Sequence, residues 1–164
     1  MLIQDTVKAL NDLIDTVEAL NELIQTSTDR RKGFAEASRT AGKPELIVLF
    51  QRHSTDCAAA VNELQRLVKS IGGTPKNSGT LAGAARRFWV KAKTIIGDAD
   101  IALLEEMERA EDQAARAYAR ALTAGLPPQA RSAVQLQHYG AVRNHNLIRD
   151  LYNCHKAPND AVLS

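Results

Sequence analysis

The chain has 164 residues, 45% of them apolar and 24% charged, with a net charge of +2. That length and apolar share fit one domain with a sizeable core and exclude a disordered chain. The small charge gives no general attraction to nucleic acid or an anionic membrane, and no apolar run exceeds five residues, which excludes a transmembrane helix. One Trp, three Tyr and three Phe, against abundant Ala, Leu and Arg, favour helix over sheet. Cys57 and Cys154 form no CxxC pair and no signal peptide is visible, so the expected setting is a cytoplasm with reduced thiols.

The first feature in the chain is a repeat. Val7 to Thr16 reads VKALNDLIDT and Val17 to Thr26 reads VEALNELIQT, identical at seven of ten positions. A ten-residue period turns an apolar stripe by about 80° on a straight helix, so the two copies cannot both face one core squarely. The second copy runs directly into the rest of the chain and is assigned to the core. Residues 1–16 are expected as an N-terminal helical extension or a separate short helix. Asp15 and Glu18 have the spacing of a capping box, which permits a break there. The extension is either a harmless duplication or an apolar strip that meets a second subunit. From Val17 the predicted core stripe is Val17, Leu20, Ile24, Ser27, Arg31, Phe34 and Ser38, with Arg30 and Lys32 facing water. Gly42 ends this helix and Pro44 opens the next.

The second helix, Pro44 to Ile71, keeps three-four spacing through Ile47, Phe50, Ser54, Cys57, Val61, Leu64, Val68 and Ile71. His53 flanks that stripe. Gly72 and Gly73 end the helix, and TPKNSGT is a loop by composition. A shorter helix follows from Leu81 to Ile96, capped by Ser78 or Thr80. Its Arg86, Arg87, Trp89, Lys91 and Lys93 form a candidate surface for an anionic partner. The simpler reading packs Leu81, Ala84, Phe88, Ala92 and Ile95 on the domain and leaves the basic groups solvated. The charge excess is small and local, so neither a membrane nor nucleic acid is the expected partner.

The third long helix, Ile101 to Thr123, carries Leu104, Met107, Glu111, Ala114 and Tyr118 on one stripe. A carboxylate in mid-stripe must be paired, coordinated or protonated, because burying it alone is costly. The last helix starts at Pro127 and Pro128 and runs to about Asn153, with Val134, His138, Ala141, His145, Ile148 and Tyr152 facing inward. Residues 155–164 are expected as a loose tail. Short joins make the first and second helices antiparallel, and likewise the third and fourth. The connection from Gly73 to Gly97 is long enough to run the bundle length. The expected fold is therefore an all-α, ferritin-like four-helix bundle over residues 17–154, with a long helical crossover between the second and third long helices and an N-terminal extension.

The segments RKGFAEA, SGTLAGAARRFWVKAK, EEMERAEDQAARAYARAL, LPPQARSAV and HYGAVRNHNLIRDL together resemble a bacterial family of ferritin-like four-helix-bundle proteins, catalogued chiefly as a domain of unknown function. The resemblance covers roughly Val17 to Asn153. It implies a fold and brings no established activity.

A di-iron bundle needs a Glu on each of two helices and a Glu-x-x-His on each of the other two. Here Phe50 stands three before His53, Val142 stands three before His145, and Arg31 occupies the first stripe, where the resemblance implies a frequent Glu. Glu111 alone is in place. The expectation is no cofactor and a buried polar cluster of Arg31, Glu111, His138 and His145. The alternative is one zinc or iron ion held by Glu111, His145 and His53 or Cys57. No GxSxG, HExxH or Gly-rich phosphate loop is present. The chain is thus expected to act as a homo-oligomer, a dimer in the first instance, or through a protein partner, rather than by catalysis. A degenerate metal-binding relative is the alternative.

Overall fold

The computed structural model describes residues 1–84, 86 and 98–162, with side chains as far as 157. Four long helices account for most of it: α1 (Leu2–Thr40), α2 (Pro44–Ser70), α3 (Ala99–Leu122) and α4 (Pro128–Val162). Among the described residues there is no strand, and the ferritin-like bundle expected from the pattern is what the chain forms. No helix among them is long and apolar enough to cross a membrane. The antiparallel pairs α1–α2 and α3–α4 are the main packing units, and α1 also packs on α3.

Local chemistry sets the helix ends. Pro44 occupies the first turn of α2. The Asp98 carboxylate accepts the backbone N–H groups of Asp100 (3.0 Å) and Ile101 (3.3 Å), capping α3. The Asp100 carboxylate in turn accepts from the N–H groups of Gly42 (2.7 Å) and Lys43 (3.1 Å), tying the start of α3 to the α1–α2 corner. Gly72 (φ 83°) and Gly125 (φ 69°) take the left-handed conformation that stops α2 and α3. A Cβ on Gly73 would lie 2.7 Å from Val17 Cγ2, so the chain needs glycine where it leaves α2 against α1.

The crossover begins along α1. Asn21 donates to the Thr74 carbonyl (3.1 Å) and accepts from the Lys76 N–H (2.8 Å). Two turns on, Asp29 accepts the Thr80 hydroxyl (2.7 Å), and Thr80 accepts the Gly83 N–H (2.9 Å), which gives Thr80 the capping role. Asp98 lies at the opposite end of the bundle, beside the α1–α2 corner. Residues 85 and 87–96 of the predicted basic helix lie outside the described residues.

Two apolar clusters fill the interior. One gathers Leu20, Leu23, Ile24, Leu64, Val68, Tyr118 and Val134; the other gathers Phe34, Leu46, Phe50, Leu103, Leu104 and Ile148. Of the two arrangements expected for residues 1–16 the structure has the continuous extension, and it lengthens the last helix. First, α1 is unbroken past Asp15, where Thr16 Oγ1 donates back to the Asp12 carbonyl (2.8 Å), and every residue from Met1 to Asp15 is exposed. Second, α4 continues past Asn153 to Val162 with Pro158 inside it. Asn153, Cys154, Lys156 and Ala157 are exposed, so these turns lie beyond the core and carry no apolar period to reveal them.

Candidate functional site

An ion pair lies in the interior at the level of Ser27–Phe34. Arg30 on α1 is 7% exposed and Glu111 on α3 is fully buried. Arg30 Nε donates to Glu111 Oε1 (2.6 Å) and its Nη2 donates to Oε2 (2.7 Å). This bidentate geometry suits a planar guanidinium facing a carboxylate. The guanidinium carbon also lies 6.0 Å from the Tyr118 ring centroid. Burial works against the charged arginine, but the Glu111 carboxylate more than offsets it and holds Arg30 protonated well above its ordinary range.

The partner of Glu111 is therefore Arg30 and not Arg31, which is exposed. The Arg31 backbone carbonyl accepts the Ser54 hydroxyl (2.9 Å). From Ser27 a helical stripe can step three or four residues. The buried set Leu20, Leu23, Ser27, Arg30, Phe34 and Ala37 shows that it steps three. The large side chains at Leu23 and Phe34 set the facing angle and carry Arg31 off it.

A second polar chain runs beside the pair. The Tyr118 hydroxyl lies 2.7 Å from Ser27 Oγ and donates to Gln137 Oε1 (3.0 Å). Gln137 Nε2 then donates to Glu63 (2.8 Å). This chain links all four helices. Ser27 and Tyr118 stood on the predicted stripes without a role, and Gln137 lay one residue off them, next to His138. Burial raises the Tyr118 pKa.

The remaining predicted site residues do not assemble. His53 is buried with its ring edge-on to Phe34 (5.0 Å between centroids), and its Nδ1 has no partner among the described residues. Burial lowers its pKa. Cys57 is buried, which pushes its thiol up to about 12. His145 sits near the surface, 3.5 Å from Glu108. His138 is half-buried, and no hydrogen bond joins it or His145 to Arg30 or Glu111. The cluster of Arg31, Glu111, His138 and His145 is thus replaced by the pair of Arg30 and Glu111. The metal set of Glu111, His145, His53 and Cys57 fares no better. Among the described residues no group of three or more His, Cys, Asp or Glu side chains is placed to hold a metal ion. Both oxygens of Glu111 are engaged by a cation already, so the donors do not fit the di-metal pattern. On the candidate basic surface, Arg86 pairs with Glu106 (3.3 Å); Arg87, Trp89, Lys91 and Lys93 lie outside the described residues.

A cavity of about 320 Å³ opens beside the pair, between α1, α3 and the start of the crossover, with Phe34, Leu103, Met107 and Ala117 in its wall. Asp29, Glu36 and Glu106 add carboxylates to that wall, and Arg30 and Arg86 add guanidinium groups.

The bundle places the chain among ferritin-like proteins by fold. A mutant of Dps1 from Mycobacterium smegmatis has a TM-score of 0.72 at 12% identity, over 87% of this chain and 97% of that one. A crystal structure described as ferritin like, diiron-carboxylate proteins from Bacillus anthracis str. Ames has a TM-score of 0.54 at 19% identity, over 93% and 98%. At these identities the likeness is one of fold alone. Residues 15–124 match the domain of unknown function DUF2383, and the chain belongs to that family. No curated protein matches it.

Proposed function

We propose that this chain is a ferritin-like bundle in which an internal ion pair stands at the position of a metal centre, and that it acts by binding a second copy of itself rather than by catalysis. The projecting part of α1 carries this reading. Leu2, Ile3, Val7, Leu10, Leu13 and Ile14 are each more than 40% exposed. At helical spacing they fall in one arc of about 140°, with Asp5, Lys8 and Asp12 on the other side. A contiguous apolar strip of this kind marks an interaction site. Its chemistry is that of a bundle-facing segment: Leu10, Leu13 and Ile14 repeat Leu20, Leu23 and Ile24, which are fully buried in the core. A surface that already packs on this chain's own helices is the natural complement of such a strip.

The test is solution mass. The wild-type chain is expected at twice 17.9 kDa at micromolar concentration, and a chain lacking residues 1–15 at the mass of one copy. A wild type that stays at one copy across that range sinks self-association. The metal alternative is tested separately, by elemental analysis of protein purified without chelator. Stoichiometric zinc or iron that disappears in Glu111→Ala would overturn the ion-pair reading.

A further inference from the structure

We propose that the cavity beside the ion pair binds a neutral small molecule with an apolar body of one or two rings and a single acceptor oxygen, such as an aromatic ketone. This site is separate from the projecting helix and does not depend on self-association.

The cavity holds about 320 Å³, at the lower end of the range for small-molecule pockets. At about 30 Å³ for each water-sized group, that is room for roughly ten non-hydrogen atoms. Phe34, Leu103 and Ala117 give it an apolar wall, and Met107 adds a thioether that adapts to the shape of a guest.

Gly33 keeps that space open. It lies inside α1, is buried, and borders the cavity. Its backbone is not in the left-handed region, which among the described glycines only Gly72 and Gly125 adopt. A Cβ at Gly33 would meet Met107 Cε at 3.6 Å and nothing closer, an ordinary contact. Neither backbone nor packing therefore demands glycine here, although glycine weakens a helix interior relative to alanine. What its missing side chain provides is volume in front of Met107.

Arg30 supplies the polar anchor. Glu111 takes its Nε and Nη2, and Nη1 makes no hydrogen bond among the described residues. Nη1 is not one of the sealed, unpartnered atoms, which are His53 Nδ1 and His155 Nε2. Arg30 is 7% exposed and borders the cavity, so a buried guanidinium presents unused N–H donors to a guest.

Charge selects a neutral guest. Arg30 and Glu111 cancel, and a guest carboxylate would set a second anion beside Glu111 against one guanidinium. The other charges of the wall are matched too. Arg86 pairs with Glu106 (3.3 Å), Arg116 with Asp112 (2.9 Å), Arg120 with Glu22 (3.2 Å) and Glu36 with Arg39 (3.2 Å). A carbonyl oxygen accepts from Nη1 without adding charge, and a charged donor makes the stronger hydrogen bond.

The test uses three probes: 1-tetralone, tetralin (the same rings without the oxygen) and the anion 1-naphthoate. The chain has two methionines, so labelled methionine methyl groups give two NMR signals, Met107 in the cavity wall and Met1 fully exposed as a control. 1-Tetralone is expected to shift the Met107 methyl with a Kd of about 0.1–1 mM and to leave Met1 unmoved. Tetralin is the more apolar probe and would bind better in a pocket without a donor. Here it is expected to bind about tenfold more weakly than the ketone. 1-Naphthoate is expected to leave Met107 unmoved. Gly33→Leu fills the space and is expected to weaken 1-tetralone by more than about tenfold. Gly33→Ala is expected to raise the melting temperature. No Met107 shift with 1-tetralone, or an unchanged affinity in Gly33→Leu, overturns the site. Tetralin or 1-naphthoate binding as well as the ketone overturns the Arg30 anchor and with it the class of guest. A lower melting temperature in Gly33→Ala overturns the role given to Gly33. The comparison of probes in the wild type stands whether or not either variant folds.

Discussion

The two halves of α1 carry nearly the same ten residues in opposite surroundings. Leu20, Leu23 and Ile24 are fully buried, and their repeats Leu10, Leu13 and Ile14 are 55%, 41% and 53% exposed. Burial here is decided by which helices stand opposite, not by local sequence. The embedded half meets α2 and α3, and from Ser27 onward it also carries the polar groups that meet Tyr118 and Glu111. The projecting half has the apolar spacing and nothing across from it. Four experiments probe that contrast.

The largest effect falls on the ion pair, which only the embedded half makes. Arg30→Met alone leaves Glu111 charged and unpaired in the core and is expected to cost about 3–5 kcal/mol in denaturant unfolding. Adding Glu111→Leu removes the stranded charge, and the double variant is expected to recover most of that loss. A double variant no more stable than Arg30→Met would show that the pair is not what isolates Glu111. Next comes the repeat itself. Leu23→Ala opens a cavity in a packed core and is expected to cost about 2–5 kcal/mol. Leu13→Ala, measured in dilute protein where the chain is single, is expected to stay within about 0.5 kcal/mol of wild type. Equal costs would mean that the projecting half already packs on its own chain.

The fold was legible because long three-four stripes, glycine stops and proline starts all agree, and because a 25-residue connection leaves few topologies open. Glu111 was legible for the same reason: its stripe has unambiguous neighbours at Met107 and Ala114. Its partner was not. Arg30 and Arg31 are both within one step of Ser27, and choosing between them needs the packing of Leu23 and Phe34 against the facing helices. The histidines misled for a related cause. Periodicity places His145 on an inward stripe, but α4 faces the core along Val134, Ala141 and Ile148, which leaves His145 at the rim beside Glu108. The Asp15–Glu18 spacing permits a break without compelling one, and α1 runs straight through it.

A smaller effect attends the hydroxyl chain. Tyr118→Phe keeps the ring and its apolar contacts but removes the group between Ser27 and Gln137. It is expected to cost about 1–2 kcal/mol by thermal or denaturant unfolding, because the buried Ser27 hydroxyl and the half-buried Gln137 amide lose a partner. The counterpart substitution Asn11→Ala in the projecting half, where the residue is exposed, is expected to leave stability unchanged. A loss at both positions would undo the contrast between the halves.

The smallest effect is also the one that depends on pH. His53 packs edge-on to Phe34 of the embedded half, and burial holds its pKa below the ordinary 6.5. The charges of Glu111 and Asp56 pull it back up, while Arg30 and Arg52 push it further down. In the unfolded chain the imidazole takes up a proton near 6.5, but in the folded chain it does so only at lower pH. The unfolded state therefore binds more protons between those two values, and stability falls as the medium is acidified through that window. The contribution is fully present above 6.5 and lost as pH drops toward the folded value. His53→Phe keeps an aromatic ring on Phe34 and cannot titrate. Its melting temperature is expected to fall less steeply than that of wild type between neutral pH and pH 5, as followed by circular dichroism. Parallel curves would mean that the imidazole charges in place, which requires water or a counter-charge at Nδ1. The dry contact between α1 and α2 at Phe34 would then be open, and the embedded half of α1 would differ less from the projecting half than its burial indicates.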